Sequence, residues 1–467
     1  MDSKHLIILG GGSAAFAAAI RGVELGARVT LINDILPIGG TCVNVGCVPS
    51  KTLIRAAEAH HRAFSHNFDG IQSKSRIVDF KAIIGQKQSL VKELRQAKYL
   101  DVISNLSGVR LIKGMGTLVD SKTVAVDGNQ INGDAIIIAT GASPVIPNVA
   151  GISTSGYLTN ETLFELDTLP ESMIIVGGGY IALESAQIFS RFGSKVTILE
   201  QLPRIMAREN ADLTEALALY LENEGLKIHT NVEIREIIKT DHQVAVKTQT
   251  NGQLKTFNAS HILIAAGRKA NTGNIGLDVP GIETDENGFL KVDDSLRTSV
   301  PNIYGAGDVI GGPMFVYTAA YEGNLAAENA ILEKMNTTNY DVLPWVVFTD
   351  PQLAGVGMDE QQAAAKGYDA EVSTLPLSSV PRSLAARDTR GFIKLIRDKK
   401  TDKLLGARIL APEGSELLME VSMAIKSGIT AQELASSFHP YLTLSEGVKL
   451  AALSFKKDVN KLSCCAS

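Results

Sequence analysis

The chain has 467 residues, a formal net charge of −5 and a pI near 6.0. This balance argues against nucleic acid or an anionic membrane as the main partner. Hydrophobic residues make up 45% of the chain, which excludes a disordered protein, and four cysteines are too few for a secreted disulfide framework. The apolar start is interrupted by Gly10, Gly11 and Gly12, so we interpret it as a strand and a helix and not as a signal peptide. We found no stretch of about 18 apolar residues. We therefore expect a cytoplasmic protein of about three domains with no membrane insertion.

A repeat at an offset of 167 positions begins at the first predicted strand. Residues 7–33 read IILGGGSAAFAAAIRGVELGARVTLIN, and residues 174–200 read IIVGGGYIALESAQIFSRFGSKVTILE. Each copy predicts a strand, a Gly-x-Gly-x-x-Ala turn, a helix and a second strand, which is the dinucleotide-binding unit. The matched turn residues are Gly10 and Gly177, Gly12 and Gly179, and Ala15 and Ala182.

The chemistry of this turn is local. Its glycines permit a tight turn and a close approach to a pyrophosphate, and the helix N-terminus offers N–H groups to the phosphates. Ordinary glycine-rich turns are the alternative, but two copies in the same context favour nucleotide binding. We therefore expect FAD at one unit and a nicotinamide at the other.

The end of each second strand should meet the adenosine ribose, whose 2′-hydroxyl can be bound by an acid. The second copy ends in Glu200, which favours NADH, but Arg204 and Arg208 follow and could hold the 2′-phosphate of NADPH. The first copy ends in Asn33 followed by Asp34, and the sequence leaves open which of the two bonds the ribose.

Further apolar runs end in small or polar residues, as strands do at a nucleotide site. An acid after a glycine turn can bond sugar or ribityl hydroxyls, although Gly-Asp is also common in plain turns. The candidate cofactor-binding residues at these ends are Thr140, Gly141, Gly267 and Asp308.

The four cysteines form two pairs with different predicted roles. Cys42 and Cys47 follow the first nucleotide unit, at a predicted helix start with Lys51 one turn later, which favours a thiolate and a redox couple over two inert thiols. Cys464 and Cys465 are adjacent, and Cα atoms about 3.8 Å apart are too close for an ordinary disulfide. Two soft thiols on a polar tail predict a carrier for a soft metal ion, with an incidental pair as the alternative.

The motif Gly-Gly-Thr-Cys-x4-Cys-x3-Lys, the two nucleotide units and Gly-Ala-Gly-Asp together resemble the flavin disulfide reductases. That family includes dihydrolipoamide dehydrogenase, glutathione reductase and mercuric reductase. The resemblance implies an α/β homodimer with two Rossmann-like domains and a C-terminal α+β dimerisation domain. The implied segments are 1–147 (FAD-binding), 148–268 (NAD(P)-binding), 269–338 (a central domain completing the FAD site) and 339–467 (dimerisation).

The C-terminal region resembles the mercuric reductase branch. Thiol–disulfide members place a catalytic histidine five positions before a glutamate, where this chain has Tyr441 before Glu446. His439 stands two positions earlier, and we interpret it as structural. The terminal Leu-Ser-Cys-Cys-Ala also looks like that branch, in which tail cysteines serve the partner's active site. The branch often carries an N-terminal metal-binding domain, which we do not find, so we expect Hg(II) to arrive as thiol complexes.

The resemblance implies NAD(P)H-dependent reduction of Hg(II) to Hg(0), with NADPH expected and NADH possible. It assigns Cys47 to the flavin side and Cys42 to exchange, with a Lys51–Glu184 ion pair beside the flavin. It places Tyr180 and Tyr441 along the metal's path, and Gly40 and Thr41 at the cofactor, although Tyr180 could be a plain packing aromatic. The expected Hg(II) ligands are Cys464, Cys465, Cys42 and Cys47. The alternatives are a dihydrolipoamide dehydrogenase-like enzyme and a flavoprotein that only sequesters metal.

An amphipathic helix is predicted between Gly414 and Ser427. Its apolar face could pack within its own subunit or against a partner, and the resemblance favours the partner. The residues of this face are Leu417, Leu418, Val421, Ala424 and Ile425.

Overall fold

The computed structural model describes residues 3–34, 36–241 and 243–461. The part before residue 148 carries a parallel sheet covered by helices and a small antiparallel sheet. Its strands are β1 (His5–Leu9), β2 (Arg28–Asn33), β3 (Val109–Lys113), β4 (Thr117–Leu118), β5 (Thr123–Val126), β6 (Asn129–Asn132), β7 (Ala135–Ile138) and β8 (Ala142–Pro144). Its helices are α1 (Ser13–Glu24), α2 (Gly40–Asn44), α3 (Cys47–Arg62), α4 (Phe80–Arg95) and α5 (Asp101–Asn105), with a π-helical turn at Gln96–Leu100.

The next part repeats this arrangement. Its strands are β9 (Ser172–Val176), β10 (Lys195–Leu199), β11 (Lys227–His229), β12 (Glu233–Lys239), β13 (Val244–Thr250), β14 (Gln253–Ala259), β15 (His261–Ile264) and β16 (Arg268–Ala270). Its helices are α6 (Asn160–Leu163), α7 (Tyr180–Phe192) and α8 (Ala211–Asn223). The parallel order β11-β10-β9-β15 matches β3-β2-β1-β7 of the first sheet, so the sequence repeat is also a repeat of topology.

The chain then returns to the first sheet. Strand β17 (Ile303–Gly305) pairs in parallel with β7 and makes that sheet five-stranded, and helix α9 (Val316–Leu332) packs against α1. The first and central segments therefore share one sheet, while the exact boundaries at 147, 268 and 338 stay predictions.

The C-terminal part has a five-stranded antiparallel sheet in the order β18-β19-β22-β21-β20. Its strands are β18 (Trp345–Val347), β19 (Gln352–Gly357), β20 (Ala370–Pro376), β21 (Phe392–Asp398) and β22 (Leu404–Ala411). Its helices are α10 (Glu360–Ala365), α11 (Pro381–Ala385), α12 (Leu418–Lys426), α13 (Ala431–Ser436) and α14 (Leu444–Leu453). Short 3₁₀ helices occur along the chain at Ile152–Thr154, Asp308–Ile310, Leu377–Ser379, Gly414–Leu417 and Val459–Lys461. Within the described ranges, no helix is long and apolar enough to cross a membrane.

The face of α12 that was assigned to a partner subunit is buried inside its own subunit, so that prediction is wrong. Leu418, Val421 and Ala424 are 2%, 0% and 3% exposed, and they join the core formed by the C-terminal sheet. The amphipathic pattern correctly marked a buried face, but the sheet of the same subunit covers it. The opposite face presents Met419 and Met423 to solvent in the single chain.

A buried ionic network fastens the second nucleotide part to the C-terminal part. The guanidinium of Arg191, on α7, lies 2.7 Å from Glu224 and 3.0 Å from Asp350. Arg390 bonds the same two carboxylates at 3.2 and 2.9 Å. Breaking a buried set of this kind leaves uncompensated charge, so the network fixes the relative placement of the two parts.

The contact between α1 and α9 depends on Gly323. A methyl group at this position would lie 2.1 Å from the carbonyl oxygen of Ala14. We expect Gly323→Ala to lower the free energy of unfolding by about 1–3 kcal/mol, because the helices must move apart. Urea unfolding of the holoenzyme, followed by circular dichroism, measures this change.

Gly85→Ala is the matched control, since Gly85 lies within α4 with open space around its Cα. There the alanine should stabilise the helix by about 0.5–1 kcal/mol. Equal effects of the two substitutions would contradict the packing argument.

Candidate functional site

The first nucleotide turn brings the backbone of three segments together. Gly10 has φ +126°, and a side chain there would lie 2.1 Å from the carbonyl oxygen of Ala139, at the end of β7. Gly12 is the N-cap of α1 and has no side-chain cap among the described residues, while Ala15 is fully buried below it. A Cβ on Gly40 would lie 2.7 Å from Gly12 Cα. The N-terminus of α1 is thus lined by bare backbone, as a pyrophosphate requires.

The second turn repeats this geometry. A side chain at Gly177, where φ is +110°, would lie 2.3 Å from the carbonyl oxygen of Ala265, at the end of β15. Gly179 is the N-cap of α7, and Ala182 is fully buried. Both predicted dinucleotide turns therefore have the same close approach to a neighbouring strand.

Polar groups beyond β7 fit the remainder of a flavin nucleotide. Thr140 Oγ1 is buried and has no hydrogen-bond partner among the described residues, so a bound group can satisfy it. The backbone of Thr140 and Gly141 is held by Asn271, whose side chain donates to the Thr140 carbonyl at 3.0 Å. The unsatisfied Thr140 hydroxyl and the bare backbone of the first glycine turn together fit FAD.

Asp308 follows the end of β17 and lies near Arg268, with 3.6 Å between Oδ2 and Nε. Burial raises the pKa of Asp308 despite this cation. Gly267 lies just beyond β15, directly before Arg268. Thr41 lies within α2, next to Cys42. Gly267 and Asp308, the predicted cofactor-binding residues after β15 and β17, therefore lie on the two sides of the junction between the two nucleotide-binding parts.

Asn33 and Glu200 occupy equivalent places at the ends of β2 and β10. A Cβ on Gly11 would lie 2.4 Å from Asn33 Oδ1, and one on Gly178 would lie 2.8 Å from a Glu200 oxygen. Asp34 is exposed beyond the strand. Asn33 is thus the positional counterpart of Glu200, as the repeat offset of 167 predicts, and Asn33 and Asp34 both remain candidates for the ribose contact.

Arg204 lies in the loop after β10. Its Nε is buried and has no hydrogen-bond partner among the described residues, whereas Arg208 is exposed. A buried guanidinium N–H without a partner is costly, and an anionic group such as a phosphate would satisfy it.

The two cysteines of the first motif lie in successive helices. Cys42 is inside α2, and Cys47 is the first residue of α3. The Cys42 thiol donates a hydrogen bond to Cys47, and this bond together with the charge of Lys51 lowers the pKa of Cys47 to about 7 against the opposing effect of burial. The same hydrogen bond, together with burial, raises the pKa of Cys42. The reduced pair therefore holds its negative charge on Cys47.

A partly buried ion pair stands beside this thiolate. Lys51 Nζ lies 2.6 Å from Glu184 Oε2, and the other Glu184 oxygen accepts the backbone N–H of Phe348 at 3.0 Å. Lys51 Nζ also lies 4.5 Å from the centre of the Phe348 ring. Sequence reasoning missed Phe348, because its position in the C-terminal part carries no local motif.

Aromatic side chains line the region next to the dithiol. The ring of Tyr180 lies 6.3 Å from Trp345 and 5.9 Å from Phe315, and Phe315 stacks on Tyr317 at 5.3 Å. Burial and then the charge of Cys47 raise the pKa of Tyr317 to about 12. Tyr317 was also missed, although the Phe-Val-Tyr sequence at the start of α9 could have suggested a second aromatic at the site.

The C-terminal candidates are only partly described. Tyr441 is 50% exposed in the single chain, and Glu446 accepts the backbone N–H of Leu442 at 3.1 Å. His439 Nε2 lies 2.5 Å from Glu420 within the same subunit, which is consistent with a structural histidine. Cys464 and Cys465 lie outside the described residues.

Removing the positive or the negative charge near Cys47 is expected to shift the pKa of Cys47 in opposite directions. Cys42→Ala and Lys51→Met should raise the pKa of Cys47 from about 7, because each removes a group that favours the thiolate. Glu184→Gln should lower it, since Glu184 opposes that thiolate. Site-resolved iodoacetamide alkylation of the reduced holoenzyme against pH, read by peptide mass spectrometry, gives each value. A shift of the same sign in Lys51→Met and Glu184→Gln would contradict this description.

Comparisons with known proteins extend over nearly the whole chain. The family model described as pyridine nucleotide-disulphide oxidoreductase matches residues 4–323, and its dimerisation domain matches residues 343–452. A mercuric reductase of Bacillus cereus is 43% identical over 460 residues, covering 98% of this chain and 73% of that protein. A mercuric reductase of Streptomyces lividans is 42% identical over 468 residues, covering 99% and 98%.

Solved structures agree. The HOCl-induced flavoprotein disulfide reductase RclA of Escherichia coli is 32% identical, with a TM-score of 0.85 over 95% of this chain and 98% of that one, and it has also been solved as a Cu(II) complex. These matches confirm the predicted fold class and a dimerisation domain, which supports a homodimer, and the family implies FAD and a pyridine nucleotide. The chain belongs to the pyridine nucleotide-disulphide oxidoreductase family.

Proposed function

We propose that the protein catalyses NAD(P)H-dependent reduction of Hg(II) to Hg(0). The observation that carries this proposal is the likeness to mercuric reductases across nearly all of the chain, at up to 43% identity. The residue at the acid–base position agrees with it, because Tyr441 is a poor substitute for a histidine in thiol–disulfide exchange.

The dithiol is the proposed reduction site. Hg(II) is a soft ion that prefers two thiolate ligands, and Cys42 and Cys47 offer two sulfur atoms already in hydrogen-bond contact. Cys47 is the flavin-side thiolate and Cys42 the exchange thiol in this proposal. When bound, FAD would supply the electron pair, which it would receive as hydride from the reduced nicotinamide. One NAD(P)H and one Hg(II) give NAD(P)⁺, H⁺ and Hg(0), so charge and electrons balance.

The remaining residues hold the site. Lys51 and Glu184 form the ion pair beside the flavin position, and Tyr180 and Tyr441 line the path of the metal. The residues that would hold FAD are Gly10, Gly12, Ala15, Asn33 or Asp34, Gly40, Thr41, Thr140, Gly141 and Asp308. Those that would hold the nicotinamide nucleotide are Gly177, Gly179, Ala182, Glu200, Arg204 and Gly267.

We assign the delivery of Hg(II) to the C-terminal tail, which passes the metal to the dithiol. Cys464 and Cys465 of the partner subunit take Hg(II) from thiol complexes by ligand exchange and pass it to Cys42 and Cys47. Each step replaces one thiolate ligand by another, so the metal need never be released as the free ion. Reduced thiols and reduced nicotinamide suit the cytoplasm, where we place the protein.

One assay separates this proposal from its competitors. The holoenzyme is given NADPH or NADH together with Hg(II) in excess cysteine, oxidised lipoamide, glutathione disulfide or Cu(II). We expect nicotinamide oxidation coupled to volatile mercury with Hg(II), and little with the disulfides. Oxidation that depends on lipoamide would favour the dihydrolipoamide dehydrogenase-like alternative. Stoichiometric Hg(II) binding without oxidation would favour a sequestering protein, and turnover with Cu(II) alone would favour a copper substrate.

The tail is tested in the same assay. Replacing both Cys464 and Cys465 by Ala should slow turnover of Hg(II) thiol complexes by about tenfold or more, because a tethered ligand has a high effective concentration. Reduction of the flavin by NADPH should be unchanged. The matched control replaces Ser463 and Ser467 by Ala. Unchanged mercury turnover in the cysteine variant would remove the carrier role.

We further propose that NADPH is the preferred nucleotide, with the unpartnered Arg204 Nε meeting its 2′-phosphate. Arg204→Met should raise the KM for NADPH by about tenfold, the worth of one charge-assisted contact, and leave that for NADH unchanged. Steady-state kinetics with both nucleotides measure this. Arg208→Met is the control, since Arg208 is exposed. Equal losses with NADPH and NADH would exclude a specific phosphate contact.

A further inference from the structure

Glu322 is a buried carboxylate that the proposed reaction does not use. It lies on α9 and is 1% exposed, and burial raises its pKa. One oxygen accepts the backbone N–H of Gly307 at 2.7 Å, and the other accepts the hydroxyl of Tyr340 at 2.7 Å. Hydrogen bonds to both of its oxygens hold this buried carboxylate in one orientation.

The first of these contacts fixes the turn that carries Asp308. Gly307 lies between two helices, since a Cβ there would be 3.1 Å from the Cβ of Ala14 on α1 and 3.4 Å from that of Ala319 on α9. Its backbone N–H points to Glu322, and the 3₁₀ helix that begins at Asp308 follows directly. Any change at Glu322 is therefore transmitted to Asp308 through a single peptide unit.

The second contact reaches the connection to the dimerisation domain. Tyr340 lies between α9 and β18, and α9 also holds this connection through Asn329, which bonds the backbone of Asn336, and through two tyrosines. The Tyr321 hydroxyl accepts the backbone N–H of Asn339 at 3.0 Å, and the Tyr317 hydroxyl donates to the Pro344 carbonyl at 2.5 Å. Of these contacts, only that of Glu322 also touches the Asp308 turn.

We propose that Glu322 is a positioning residue for FAD. It holds the Gly307 N–H so that Asp308 meets the sugar-alcohol hydroxyls of the flavin nucleotide, and it ties that turn to the start of the dimerisation domain. A carboxylate suits this role because both of its oxygens accept, whereas an amide has only one acceptor oxygen. The inference rests on FAD binding and not on the identity of the metal substrate.

The experiment measures FAD affinity of the full chain. Apoprotein is titrated with FAD, and the quenching of flavin fluorescence gives the Kd. Glu322→Gln should raise the Kd about tenfold, because the Gly307 N–H then meets a neutral amide oxygen instead of a charged carboxylate oxygen. Tyr340→Phe should raise it about threefold, since Glu322 keeps its bond to Gly307. Tyr321→Phe is the matched control, because it weakens the same connection without touching the turn, and its Kd should equal that of the unmodified protein.

Two results would overturn the proposal. One is a Glu322→Gln protein that binds FAD as tightly as the unmodified protein. The other is a Tyr321→Phe protein that loses as much affinity as Tyr340→Phe, which would mean that the connection as a whole matters and the turn does not. If Glu322→Gln does not fold, the two tyrosine variants provide the test. Kd values equal to that of the unmodified protein in both Tyr340→Phe and Tyr321→Phe would then reject the role. Hg(II) turnover is not the readout, so failure here is separate from failure of the proposed function.

Discussion

A single buried carboxylate, Glu184, joins three separate parts of the chain at the redox site. One oxygen pairs with Lys51 of α3, and the other binds the backbone of Phe348 in the C-terminal part, while Glu184 itself belongs to α7. Burying this charge is favourable only while both partners are in place. The dithiol, the second nucleotide turn and the dimerisation domain must therefore assemble together for any one of them to be stable.

The repeated nucleotide turns depend on a different constraint, which is backbone contact. At Gly10 and Gly177 the approach to the neighbouring strand leaves no room for a Cβ, so the same residue type recurs at the same place in both copies. The rest of each copy is free to differ. Asn33 and Glu200 occupy equivalent places with different charges, which suits two nucleotides that differ in their phosphates and sugars. One topology thus supplies two distinct sites by changing the polar residues at its strand ends.

Local sequence patterns predicted what is local in the structure. The paired turns and the two cysteines near a helix start follow from spacing and strand-end signals, whereas the return of the chain to the first sheet through β17 was implied by the family resemblance. The face of α12 was predicted to be buried and is, but periodicity does not say which surface covers it, and the sheet of the same subunit does so. Phe348 and Glu322 could not be found in this way, because their roles come from contacts between residues far apart in the chain.

The proton count at the dithiol connects this architecture to metal chemistry. The reduced pair shares one proton on Cys42, since Cys47 is the thiolate. A soft divalent ion bound by both sulfurs needs both as thiolates, so its arrival releases only that one proton. The hydrogen bond from Cys42 and the charge of Lys51 lower the pKa of Cys47 to about 7, while burial and the charge of Glu184 oppose them. A more acidic thiolate would be a weaker nucleophile and a weaker ligand. These opposing effects therefore leave a large share of Cys47 ionised at neutral pH while it remains basic enough to accept a metal from another thiolate.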